Sequence, residues 1–67
     1  MKARKMQQIE IMDQPGKPHA IQIVLAGEGA SYVVLKSDLA TPARAVREAM
    51  QASYALRMPV INRLQER

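Results

Sequence analysis

Thr41-Pro42 opens the one stretch of this chain with a sustained helical period, and that stretch directly follows a run of strand-like aliphatic residues. Thr41 suits the N-cap, where its hydroxyl can accept from an otherwise unpaired backbone N–H. Pro42 suits the first helical position, where a missing N–H costs nothing. Projected at about 100° per residue, Ala45, Val46, Ala49, Met50, Ala52, Ser53 and Leu56 gather in one arc, with Arg44, Arg47, Glu48 and Gln51 opposite. Alanine keeps that arc thin, so the helix backbone can approach a flat apolar surface closely. The upstream chain has to supply such a surface.

Period-2 alternation supplies it. Met6 to Asp13 places Ile9 and Ile11 on one face and Gln8, Glu10 and Met12 on the other. Gln14-Pro15-Gly16-Lys17-Pro18 then reads as a turn, because proline fixes φ and glycine accepts positive φ. His19 to Ala26 is a second predicted strand, with Ile21, Ile23 and Leu25 on the face of His19. Gly27-Glu28-Gly29 is the next turn. Ser31 to Lys36 is the third strand, with Val33 and Leu35 on one side and Tyr32, Val34 and Lys36 on the other. The expected fold class is α+β: a three-stranded antiparallel meander packed by one C-terminal amphipathic helix, kinked or broken at Pro59. The organisation is a flexible basic arm over residues 1–5 and a single domain over residues 6–67.

Pro59 leaves two helical outcomes. If the helical phase runs on, Val60, Ile61 and Leu64 extend the stripe of Val46 and Met50; otherwise the helix breaks at Met58 and Pro59 begins a short second one. A helix from Pro42 to Glu66 would be roughly 37 Å long, against roughly 20–27 Å for strands of six to eight residues. On that reading Val60, Ile61 and Leu64 overhang the sheet, and they are the expected self-association surface of a homodimer. A chain of 67 residues with no cysteine has no disulfide to supplement a small core, which also favours a second copy.

Formal net charge is +4, distributed as +3 over residues 1–5, −2 over residues 6–40 and +3 over residues 41–67. Such a distribution suits an acidic partner, nucleic acid above all. Arg44 and Arg47 stand at i and i+3 on the polar helix face with Gln51 a turn further on, within reach of phosphates. Lys2, Arg4 and Lys5 would add phosphate contacts from the arm. The outer sheet face, expected to carry Met12, Gln22, Val24, Tyr32, Val34 and Lys36 beside Gln8 and Glu10, is more apolar than a solvated face needs to be.

Enzymatic chemistry is the least expected class. His19 is the only histidine, no serine sits in an activating context, and the six carboxylates are scattered. Gly27-Glu28-Gly29 matches no phosphate or dinucleotide fingerprint. No cofactor and no metal are expected. No stretch has the ~18 apolar residues of a membrane span, and no apolar segment follows Lys2, Arg4 and Lys5 as a secretory signal would require. The expectation is a cytoplasmic protein of bacterial or phage type.

Val24-Leu25 before the Gly27-Glu28 turn, the third strand, and Thr41-Pro42 opening the helix together resemble, in layout over residues 19–56, several small DNA-binding domains. These include the arm-binding domains of phage-type integrases, plant AP2 domains and the enterobacterial cell-division activator. The resemblance implies DNA read through the sheet. From the charge distribution, the leading expectation is a small basic nucleic-acid-binding accessory or regulatory protein that contacts phosphates through Lys2, Arg4, Lys5, Arg44 and Arg47. The alternative is a protein-binding adaptor or inhibitor of phage or plasmid type, using the outer sheet face or the C-terminal stripe. A third reading is a purely structural oligomer subunit.

Overall fold

The alternating segments form strands, and the alanine arc forms the helix that covers them. The computed structural model describes residues 6–29 and 32–64. Strand β1 is Met6–Asp13, β2 is Ile21–Gly27, β3 is Tyr32–Leu39, helix α1 is Pro42–Leu56, and β4 is Val60–Asn62. The sheet order is β3-β2-β1-β4. Pairs β1–β2 and β2–β3 are antiparallel, as a meander requires, and β4 lies parallel to β1. The α+β class therefore holds, with one strand more than expected.

The core lies on one side of the sheet. Ile9, Ile11, Ile21 and Ile23 from β1 and β2 join Leu39 beneath Ala45 and Ala49 of α1, all buried. Four branched side chains provide the volume and two methyl groups cap them, so the helix sits low on the two central strands. Thr41 is extended (φ −129°, ψ 146°) and its Oγ1 accepts from the Arg44 N–H at 3.2 Å, which confirms the expected cap over Pro42.

The first hairpin also closes as expected. The Lys17 N–H donates to the Gln14 carbonyl at 3.3 Å, and Gly16 takes φ 79°. His19 does not begin β2; it stays in the loop at φ 73°, and the strand starts at Ile21.

Two elements differ from expectation. The helix does not run on, kinked, past Pro59, and no second helix follows among the described residues. Arg57 adopts a left-handed conformation (φ 57°, ψ 46°) and donates its N–H to the Ser53 carbonyl at 2.7 Å, closing the last turn. The Ser53 hydroxyl bonds the Met58 carbonyl. Pro59 has no N–H and biases Met58 towards an extended backbone, and the β-branched pair Val60-Ile61 favours a strand. The Pro59 carbonyl accepts from Ile9 N–H, and Arg63 N–H donates to the Ile11 carbonyl, each at 2.8 Å, fastening β4 along β1.

At 15 residues α1 is roughly 22 Å long, so the sheet spans it and nothing overhangs. Val60 and Leu64 pack against the protein's own core. Ile61, opposite Glu10 in register, is half-buried on the other sheet face. The three residues thus form no common helical stripe.

The second difference is in β3. Its pairing with β2 shifts twice, between Ile21 and Ile23 and between Ile23 and Val24. Asp38 takes φ 60° within the first irregularity. A bulge of this kind changes which side a residue faces. Lys36 consequently stands opposite Ile23 and reaches α1, instead of lying on the outer face with Tyr32 and Val34.

Two substitutions test this packing by urea titration. Ile11→Ala should cost about 2–5 kcal/mol, because the side chain is wholly buried. Leu64→Asp should lower the urea midpoint markedly, since Leu64 covers its own core; a midpoint equal to wild type would contradict the placement.

Candidate interaction surface

Strand β3 is the anomaly in an otherwise well-covered sheet. It is an edge strand, with β2 on one side and no strand on the other among the described residues. Helix α1 rests mainly on β1 and β2 and touches β3 least. As a result Tyr32, Val33, Val34 and Leu35 are 49%, 50%, 46% and 41% exposed, so both faces of the strand are apolar and open. Their partners in β2 are better covered: Val24 is buried, and Leu25 and Ala26 are half-buried.

Edge strands in stable domains carry devices that discourage pairing, such as charge, bulges or short length. In β3 these devices are confined to its C-terminal half. There the bulge and Asp38 are fixed by the β1–β2 loop. The Gln14 side-chain carbonyl accepts from Asp38 N–H at 2.8 Å, its amide donates to Asp38 Oδ1 at 3.3 Å, and Lys17 Nζ bonds the same oxygen at 2.7 Å. Tyr32 to Leu35 carry neither charge nor proline. At the other edge β4 has only three residues.

A groove of about 380 Å³ meets this segment at Leu35, between β3 and the C-terminal half of α1. Ile23 and Leu35 supply apolar wall on the sheet side; Ala52, Ala55 and Leu56 supply it on the helix side; Lys36, Glu48 and Gln51 are its polar groups. Lys36 Nζ and Glu48 Oε1 pair at 2.8 Å and join β3 to α1. Bonding to that ammonium is the main reason the Glu48 carboxyl lies below its ordinary 4.5; burial opposes the shift, while Arg44 and Arg47 reinforce it. Asp38 is likewise lowered, first by the bonds from Lys17 and Gln14.

The sequence-predicted residues divide between surfaces. Arg44 and Arg47 are exposed on α1, near enough to Glu48 for their charge to act on it. Lys2, Arg4 and Lys5, and the arm they belong to, lie outside the described residues. Of the formal net charge of +4, residues 1–5 contribute +3. On the outer face, Glu10 is nearly buried and held by Arg63 Nε at 2.7 Å and by the Gln8 amide at 2.6 Å. That face therefore contains a satisfied ion pair beside its apolar residues.

His19 lines a second, open cleft of about 340 Å³ with Lys17 and Asp38, which pair with each other. No cluster able to hold a metal ion occurs among the described residues, and no helix there is long and apolar enough to cross a membrane. The groove itself escaped sequence reasoning because it depends on where α1 settles across the sheet. The four consecutive apolar residues Tyr32 to Leu35 were its one visible trace.

Comparison with protein-family models, with curated proteins and with solved structures finds no match.

Both lowered carboxyls have folded values below their unfolded ones. Each stabilises fully above its ordinary value, 3.8 for Asp38 and 4.5 for Glu48, and loses that contribution as pH falls through the depressed folded value. The difference in urea midpoint between wild type and the double variant Asp38→Asn/Glu48→Gln should thus be present near neutrality and shrink on acidification to about pH 3. A constant difference across the titration would contradict the two pairings.

Proposed function

We propose that this domain is a protein-interaction module, an adaptor or inhibitor, which accepts an extended segment of another protein as an added strand along β3. The observation that carries the reading is the doubly exposed apolar run Tyr32 to Leu35 on an open edge beside an apolar groove. Strand addition satisfies exposed backbone donors and acceptors, and alternate side chains of the incoming strand enter the adjoining groove.

The test is selection from a phage-displayed library of random linear peptides on the immobilised protein. Enriched peptides should slow amide hydrogen exchange across Tyr32 to Leu35. They should also bind the variant Ala55→Trp at least about tenfold more weakly, because the indole occupies the groove. Ala55 is exposed and outside the core cluster, so this variant keeps its fold. Absence of enrichment, or peptides indifferent to Ala55→Trp, would overturn the reading.

A second reading, nucleic-acid binding, is favoured by one feature: Arg44 and Arg47 stand exposed one turn apart on α1, on a chain whose residues 1–5 add +3. Lys2, Arg4 and Lys5 would supply the remaining phosphate contacts. In gel shifts against duplex and single-stranded probes, Arg44→Ala/Arg47→Ala should reduce the slope of log affinity against log salt by about 2. Absence of any shifted band at low salt would remove this reading.

A further inference from the structure

We infer that the groove beside β3 selects extended peptides with alternating apolar side chains and a carboxylate at the end that lies against Lys36 and Arg44. This rests on the strand-addition reading above and adds the chemistry of the ligand to it.

The groove is polar at one end and greasy at the other. Helix α1 follows β3 through the short link Ala40-Thr41 and folds back over the sheet, so its first turns lie near the C-terminal end of β3. The Lys36–Glu48 pair marks that end of the groove. Arg44 lies one turn before Glu48 on the same helix face, and Arg47 is its neighbour. With Lys36 and Glu48 paired, Arg44 one turn earlier on that face leaves an excess of positive charge beside this end of the groove. Further along, Leu35, Ala55 and Leu56 present only apolar atoms, with Leu56 43% exposed.

A strand added to β3 would run the length of this gradient. Its alternate residues would face Leu35 and Leu56, and the end residue near Lys36 would meet the cationic excess. A carboxylate there gains electrostatic attraction, whereas an ammonium is repelled. A second copy of the chain fits less well. Antiparallel pairing of β3 with itself about Val34 would set Lys36 against Tyr32 of the other copy. It would bring no carboxylate to the cationic end.

The library selection decides the matter at two levels. Enriched sequences should share alternating apolar positions and an aspartate or glutamate at one end. A synthetic peptide of that consensus should lose about tenfold in affinity when the acid is replaced by lysine. The variant Arg44→Glu/Arg47→Glu should show the reverse preference, binding the lysine peptide better. Enrichment without acidic bias, or a charge preference unchanged in the double variant, would overturn this inference while leaving strand addition intact. Failure to enrich any peptide that Ala55→Trp rejects would overturn both. Light scattering closes the remaining route: a dimer that Ala55→Trp dissociates would assign the groove to a second copy and refute the peptide.

Discussion

The structure depends on the seating of Ala45 and Ala49 upon Ile9, Ile11, Ile21 and Ile23. Small residues on the helix and branched ones on the sheet let the two layers approach closely, which maximises dispersion contacts in a core with few members. With two tyrosines and no other aromatic side chain, the protein has no bulky group to span a wider gap. Strand β1 is the natural centre of this arrangement. It is hydrogen-bonded on both sides, by β2 and by β4, and supplies Ile9 and Ile11 to the core. A helix held low over β1 and β2 cannot also cover β3, so the exposure of Tyr32 to Leu35 follows from how the core is built.

Strand β4 completes the same logic. The chain leaves β3, crosses above β2 and β1 as α1, and returns to the far side of β1. Closing the helix at Ser53 with a left-handed Arg57 turns the chain sharply enough for Pro59 to start the parallel pairing. Met58, Val60 and Leu64 then pack against the core from that side. The chain thereby covers its core on the β4 side and leaves the β3 side open. The asymmetry makes β3 the open edge of the sheet.

Much of this was legible in the residues, and the rest was hidden for definite physical reasons. Alternation in β1 and β2, the Pro15-Gly16 turn and the Thr41-Pro42 cap are local signals, and each formed where local chemistry predicts. Val60, Ile61 and Leu64 were ambiguous because a short apolar group fits a helical and an extended period equally well. What decides between them is pairing with Ile9 to Ile11, some fifty residues away, a contact no local pattern encodes. Lys36 was assigned to the wrong face because strict alternation was carried through a bulge, and one extra residue reverses every later side. The groove was invisible altogether, since its walls come from residues that meet only after the helix has docked.

An open apolar edge is a liability that a small domain could remove with one charged residue. The C-terminal half of β3 has such protection, in Lys36, the bulge and the clamp on Asp38. The N-terminal half, on the same strand and beside the groove, has none. Here the unprotected run coincides with Leu35, Ala55 and Leu56, and protection begins where the groove turns polar at the Lys36–Glu48 pair. That coincidence is what a docking edge requires: backbone groups free to pair, side-chain space to discriminate, and a guarded end that fixes where pairing stops.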